Sequence, residues 1–383
     1  MNKHSSTFEA EIVATVRRLA ASSKVGVDLF SAMEGVHPIE IKRALLACEE
    51  HSLLKTAFAG LEIKSRSMQE VKRDDNPVLS FWPFTSDCAR RIARLVKDYK
   101  TIALLGAPTI FAALRNIKTN EVILFDNDDY LFSDRSTEGF VQCDLLTDAL
   151  APFHNKFDLV IGDPPWYFDD YISWLDAAIR LTRPGGTVVL VLYPQNIRQT
   201  ASHERREILE ALNILLQDVR TLPLSAEYET PSFEQVQFVQ NGICPVHWRR
   251  AEFISGRVPL DKTDRPFEAA VSRGSLWTER RIGCGRIFIE NVPSNNSVFL
   301  QTAHPNSRFL QSPSRRDPSR KKANVLSSRG HGLSCNDPDG LIYLISEIRS
   351  GPDIEKISCR LDNESGKLFE MVANDLWGRF ITM

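Results

Sequence analysis

The tetrapeptide Asp163-Pro164-Pro165-Trp166 directly follows the apolar run Phe-Asp-Leu-Val-Ile-Gly at 157–162. Proline has no backbone N–H and a fixed φ, so two in succession end a strand and leave carbonyls that no neighbouring strand bonds. Those carbonyls and the Asp163 carboxylate are acceptors for the N–H groups of an exocyclic amino group or an amine. Holding those groups aims the nitrogen lone pair at a carbon electrophile. Trp166 offers a flat face for a base, a stacking contact worth about 1–3 kcal/mol in nucleic-acid sites. The chemistry indicated is group transfer onto nitrogen. A strand ended by a Pro-Pro turn beside a core tryptophan is the plainer reading of the same four residues.

The surrounding pattern supplies the elements that must hold this turn. Short apolar runs at 102–105, 122–125, 140–142, 159–161 and 188–193 have the look of strands covered on both faces. Helical spacing lies between and beyond them at 87–97, 109–116, 171–181 and 203–217. Alternating strand and helix predicts an α/β fold with a doubly wound, Rossmann-like parallel sheet, in which ligands bind outside the carboxyl ends of the strands. The first strand ends in Gly106-Ala107-Pro108-Thr109, where Gly106 permits close backbone approach and the next helix begins. The second ends in Asp126, placed to grip both hydroxyls of a ribose, while Asp128 and Asp129 read as a solvated acidic turn. Asp144, after the third strand, is either an acceptor for an adenine amino group or a helix cap. One glycine and three acids suggest a nucleoside-bearing donor. There is no G-x-G-x-x-G, so S-adenosylmethionine fits better than a dinucleotide.

The chain has 383 residues, 43% hydrophobic and 25% charged, which allows two or three domains with full cores. Its net charge of −2 conceals 16 Lys+Arg against 7 Asp+Glu between residues 245 and 335. That basic stretch points to an anionic partner. Within it, Arg315, Arg316, Lys321 and Lys322 belong to a basic segment at 312–329 that reads as a flexible loop and a candidate phosphate grip, as do Arg249-Arg250 and Arg280-Arg281. Seven cysteines without a C-x-x-C pair predict reduced thiols and no metal site. No apolar stretch is long enough to span a bilayer, so a soluble, cytoplasmic protein without a membrane partner is expected. Residues 1–63 suggest a winged-helix-like unit: helices over 7–21 and 38–50, then a strand over 53–63. Residues 64–76 suggest a linker, 77–244 the sheet domain, and 245–383 a β-rich region with strands near 286–290, 297–301 and 341–345.

Four segments occur in one order: Leu-Ser-Phe-Trp-Pro-Phe-Thr at 79–85, Leu-Gly-Ala-Pro-Thr-Ile-Phe at 105–111, Phe125-Asp126, and the run from Phe157 through Asp163 to Trp166. This series resembles the N6-adenine methyltransferase-like family, which includes rRNA adenine methyltransferases and elongation-factor lysine methyltransferases. The resemblance covers about residues 76–240 and implies a class I methyltransferase fold that binds S-adenosylmethionine. It implies that Phe81, Trp82 and Thr85, with Gly106, Pro108, Asp126 and Asp144, border the cofactor, although an aromatic packing lid is an equal reading of the first segment. Asp163, Pro164, Pro165 and Trp166 would be catalytic, with Trp166 and Tyr167 touching substrate. Tyr193 and the Glu227-Tyr228-Glu229 cluster are further candidates for lining the site. The expected acceptor is adenine in DNA or RNA; protein lysine is the second reading. Aminopropyl transfer to a polyamine is the third, because the N-terminal unit and the 203–217 helix are also similar to branched-chain polyamine synthases. Those enzymes carry Gly-Asp-Asp-Asp where this chain has Gly106-Ala107-Pro108-Thr109. A cofactor-fold scaffold without catalysis is the fourth.

Overall fold

The computed structural model describes residues 10–18, 33–47, 75–79, 81–115, 121–128, 138–145, 150–243, 248–261, 277–295, 297–310, 312 and 314–378. The expected strand over 53–63 and nearly all of the linker over 64–76 lie outside those residues, as does Asp129. The chain divides into two compact units, one of residues 1–59, 83–229 and 247–272, the other of residues 60–82, 230–246 and 273–383.

The first unit is built on a seven-stranded sheet in the order β3-β2-β1-β4-β5-β7-β6. Its strands are β1 Thr101–Leu105, β2 Glu121–Asp126, β3 Phe140–Gln142, β4 Phe157–Gly162, β5 Thr182–Leu192, β6 Gln217–Glu227 and β7 Arg250–Arg257. β1 to β5 pair in parallel, and β7 runs antiparallel to both β5 and β6. The β-branched and leucine-rich runs form β1, β4 and β5 because helices shield both faces; Ile102, Leu104, Val160 and Val191 are fully buried. The helices are Ser86–Leu95, Pro108–Leu114, Phe168–Leu181 and Ala201–Leu215, close to the predicted spans. β7 lies beyond residue 244, so the sheet takes its reversed strand from the stretch expected to be C-terminal territory. Helices at 10–18 and Pro38–Ala47 precede the sheet; the predicted turn before Pro38 is present, with Gly35 at φ 92°.

Register decides the site. Leu105 at the end of β1 pairs with Phe125 on one side and Gly162 on the other. The three residues that follow therefore stand at one level: Gly106 and Asp163 leave the sheet, and Asp126 is the last residue of β2, paired with Gln142 of β3.

The second unit carries a five-stranded antiparallel sheet in the order β10-β12-β11-β9-β8. These are β8 Trp277–Ile282, β9 Gly285–Glu290, β10 Leu300–Thr302, β11 Val325–Ser327 and β12 Gly332–Cys335. Helices Pro338–Ser346, Gly351–Ser358 and Asn363–Trp377 close a core with Ile289, Val325, Leu341, Ile354, Phe369 and Leu376. Two sequence expectations are corrected here. Residues 341–345 are helical, because Asp337 caps the Gly340 N–H at 3.0 Å, Pro338 takes the first turn, and Leu341 and Ile345 bury one face at i, i+4. The basic segment is not all loop: residues 314–329 contain the helix Pro318–Lys322 and the central strand β11. Asp317 caps that helix by accepting from the N–H groups of Ser319 at 2.8 Å and Arg320 at 3.1 Å.

Candidate active site

The Asp163 turn is fastened to the sheet by its own backbone, the Asp163 N–H donating to the Leu105 carbonyl at 3.1 Å. Beyond it the two proline carbonyls differ. The Pro165 carbonyl accepts the Tyr167 N–H at 2.7 Å, which turns the chain into the helix Phe168–Leu181. The Pro164 carbonyl accepts no hydrogen bond among the described residues. The sequence treated the two carbonyls alike; the turn uses one and leaves the other.

The Asp163 side chain is held from one side. Its Oδ1 accepts the Tyr228 hydroxyl at 2.7 Å, and Oδ2 has no hydrogen-bond partner among the described residues. Burial raises its carboxyl to about 7, against the lowering effects of the Tyr228 hydrogen bond and the Arg249 charge. Burial, the Asp163 charge and the hydrogen bond to Asp163 in turn push the Tyr228 hydroxyl well above its ordinary value, so it stays a donor.

Tyr228 is itself positioned by the segment that sequence reading marked. The Thr85 N–H donates to the Glu227 carbonyl and the Glu229 N–H to the Pro83 carbonyl, both at 2.8 Å. Phe84 bridges Tyr228 as a short antiparallel pair and stacks on its ring at 4.8 Å, with Phe253 behind it at 6.0 Å. Thr85 uses its Oγ1 to accept the Cys88 N–H at 3.1 Å, capping the helix Ser86–Leu95. Trp82, in the second unit, is 6% exposed and meets Phe233 edge-on at 6.5 Å, while Phe81 is half-buried. The pair 84–85 thus builds the site through Tyr228, and Trp82 is packed as core.

Trp166 is half-buried and flanked on three sides. The Arg249 guanidinium stacks 3.6 Å from its ring centre, Tyr228 meets it edge-on at 5.9 Å, and Tyr193 is tilted at 6.2 Å. Arg249 immediately precedes β7, and sequence reading had it only as a phosphate grip; a lone arginine in a basic stretch carries no sign that its partner is an indole. Tyr193 is buried and donates to Glu204 Oε2 at 3.0 Å, so it supports the site from beneath rather than facing it. Burial alone would raise the Glu204 carboxyl, but hydrogen bonds from Arg198 and Thr200 and the Arg198 charge outweigh it and hold the group well below the usual range. Tyr167 is half-buried at the N-terminal edge of its helix, with the Arg198 guanidinium 5.9 Å from its ring centre.

The cofactor candidates fall along the same sheet edge. Gly106 has φ 59°, and a Cβ there would stand 2.5 Å from the Trp174 ring, so the close approach this glycine permits is made by Trp174. Pro108 begins the helix Pro108–Leu114. Asp126 accepts the Asp128 N–H on Oδ1 at 3.0 Å, and the Asn127 backbone N–H also bonds its carboxyl. Burial raises the Asp126 carboxyl to about 7. Asp128 is 7% exposed, so the expected solvated turn is corrected at that residue: its N–H is tied back to Asp126. The Cys143 N–H donates to the Asp126 carbonyl at 3.0 Å, bringing half-buried Asp144 to the same edge. In the second unit Arg315, Arg316, Lys321 and Lys322 are set around the short helix at 318–322.

A mostly parallel sheet with one reversed strand between β5 and β6, bearing acids beyond β2 and β4 and a Pro-Pro turn, is a class I methyltransferase fold. Residues 78–235 match the family model described as "Probable N6-adenine methyltransferase". The match is confined to that segment, and the domain is an S-adenosylmethionine-dependent methyltransferase domain. No curated protein matches the sequence. Among solved structures, the chain is similar to the branched-chain polyamine synthase C9 mutein of Thermus thermophilus in complex with N4-aminopropylspermidine and 5'-methylthioadenosine. That similarity has 12% identity and a TM-score of 0.48, over 70% of this chain and 90% of that one. It is also similar to the N-methyltransferase NodS of Bradyrhizobium japonicum, with 13% identity and a TM-score of 0.31, over 49% of this chain and 99% of that one. No helix among the described residues is long and apolar enough to cross a membrane.

Proposed function

We propose that the protein methylates the exocyclic amino group of an adenine in nucleic acid. One observation carries this reading: Asp163 is oriented by Tyr228 on Oδ1 while its Oδ2 and the neighbouring Pro164 carbonyl are both left as acceptors. Two acceptors side by side match the two N–H bonds of a flat amino group. Trp166, at the same turn, supplies an aromatic surface for the attached ring.

The residues on the sheet edge fit the cofactor. The Asp126 carboxylate at the end of β2 would take a ribose diol, Asp144 stands at the same edge for an adenine amino group, and the Gly106 turn would hold the remainder over β1. Bound there, S-adenosylmethionine supplies an electrophilic methyl carbon on a sulfonium.

The chain's own residues do the rest. Asp163 Oδ2 and the Pro164 carbonyl accept the amino N–H bonds, drawing the nitrogen lone pair out of conjugation with the ring. As the N–C bond forms, Asp163 in its carboxylate form takes up the released proton. Its raised value near 7 suits it to hold that proton and return it to water. Orientation supplies most of the acceleration, since holding two reactants in line contributes about 7–11 kcal/mol. Basic residues of the second unit would hold phosphates of a strand whose target base has left its stack.

The test is methyl transfer from labelled donor into separate pools of single-stranded RNA, single-stranded DNA, lysine-bearing protein and spermidine. Label on adenine N6 supports the proposal. Label confined to protein or spermidine, or in no pool at all, overturns it.

A further inference from the structure

The second unit contains a cavity of about 350 Å³ that the amino-group site does not explain. Its walls include Lys321, Lys322, Ser294, Thr302, Asn324 and Glu290. We infer that this cavity is a binding site for a nucleotide phosphate, with Lys321 and Lys322 taking the phosphate and Ser294 and Thr302 the polar body attached to it.

The two lysines are held where they are by the buried parts of their own segment. Asp317 caps the helix Pro318–Lys322, and Arg320 in its middle turns inward, 8% exposed, with its guanidinium 5.1 Å from the Trp277 ring centre. Anchoring Arg320 leaves Lys321 and Lys322, the two residues after it, at the cavity. Neither Lys321 nor Lys322 forms an ion pair among the described residues, so both charges are available to an anion.

The floor is equally fixed. Asn324 donates to the Val292 carbonyl at 2.8 Å and the Cys335 carbonyl at 2.7 Å, and accepts the Cys335 N–H at 2.7 Å. The Ser294 N–H adds a bond to the Cys335 carbonyl at 2.9 Å. Gln301, beside Thr302 on β10, pairs with Ser334 on β12. Against this satisfied floor, the Ser294 hydroxyl is buried and has no hydrogen-bond partner among the described residues. Native structures rarely leave such a group unmet, so a ligand oxygen or nitrogen is its expected partner.

Charge and size narrow the ligand. Two ammonium groups outweigh the one carboxylate, Glu290, in favour of an anion. The volume lies within the range of about 300–1,000 Å³ that small-molecule sites occupy, larger than bare phosphate needs. Glu290 and the hydroxyls suit a ribose or a base amino group. The source is either a free nucleotide or one unit of a strand. The second source rests on the nucleic-acid reading above; the site itself does not.

The experiment is calorimetric titration of the full chain, without methyl donor, with AMP, adenosine, inorganic phosphate and a short single-stranded oligonucleotide. AMP is expected to bind more tightly than adenosine or phosphate, and more weakly as salt rises. The double variant Lys321→Ala with Lys322→Ala is expected to weaken AMP at least tenfold and Ser294→Ala about threefold, while Glu210→Ala, an exposed change in the first unit, leaves it unchanged. AMP affinity equal to that of adenosine or of phosphate overturns the assignment, as does retention of AMP binding in the lysine variant. If the oligonucleotide binds more tightly than AMP and shares its sensitivity to the lysine pair, the source is a strand; otherwise it is the free nucleotide. A failed transfer assay leaves this result untouched, because the titration uses no methyl donor.

Discussion

A buried polar cluster in each unit invites comparison, and the two are built to opposite rules. In the second unit His331 is hydrogen-bonded to Ser327 Oγ through Nδ1 at 2.7 Å and to Asp375 through Nε2 at 3.1 Å, with Arg308 on the same carboxylate. By residue type this is a serine, histidine and aspartate set. Yet Ser327 and His331 are each 1% exposed, and Ser327 Oγ also accepts the N–H groups of Arg329 and His331 at 3.2 Å. Each named side chain is engaged, and Phe309 covers the imidazole at 4.8 Å. In the first unit Asp163 is engaged on one oxygen only and keeps spare acceptors at the edge of a parallel sheet. A cluster that closes on itself holds a fold together. A cluster with unspent hydrogen bonds is a candidate site.

The largest expected effect separates the two clusters by function. Asp163→Ala should lower the single-turnover transfer rate by about 10²–10⁴-fold while cofactor affinity and thermal unfolding stay near those of the parent. A rate within threefold would return Asp163 to the category that His331 occupies. Conversely, Asp375→Ala should cost about 3–5 kcal/mol in denaturant unfolding, because it strands Arg308 and His331 in the interior. The transfer rate per folded molecule should hold.

The pH responses should also differ in sign. His331 is held below the ordinary histidine value by burial, so protons bind the unfolded chain more readily. Its contribution to the second unit's stability is complete above about pH 6.5 and declines as pH falls below it. Asp163 and Asp126 are raised by burial to about 7 from the usual carboxylate value near 4, so they bind protons more readily when folded. Their contribution is present below about pH 4 and is lost as pH rises toward 7. Unfolding followed by a reporter in each unit should show these opposed slopes, and His331→Gln should flatten the acid-side one.

In catalysis, kcat/KM should rise with pH to a plateau above about 7, following ionisation of Asp163. Tyr228→Phe removes a hydrogen bond that lowers that value, so the inflection should move upward. An unmoved inflection would detach Tyr228 from the titrating group. The smallest effect concerns Thr85. Its hydroxyl is spent on a helix cap, so Thr85→Ala should cost about 1 kcal/mol of stability and leave cofactor affinity unchanged. A cofactor loss would restore the binding role implied by its place in the motif.

Much of the first unit was legible because its signals are local. Continuous apolar runs gave β1, β2, β4 and β5, and the residue following each run gave Gly106, Asp126 and Asp163. Where the sequence misled, the deciding contact was distant. The 341–345 run is apolar and short, the case in which helix and strand look alike, and the Asp337 cap with the i, i+4 burial decides it. Residues 314–329 hold a helix and a strand because Arg320 finds Trp277 and β11 finds two sheet neighbours. The reversed strand β7 lies past a stretch whose composition suggested a new region.

The sequence by itself determined which residues leave the sheet edge and that an acid, two prolines and an indole stand together, since strand termini and proline geometry are local properties. Only the tertiary structure decided what those residues are free to do. Tyr228 comes 65 positions after Asp163 to occupy one of its oxygens, and Arg249 comes from beyond β6 to cover a face of Trp166. Spare hydrogen-bonding capacity is what remains after every long-range partner has been placed, so it is a property of the folded chain.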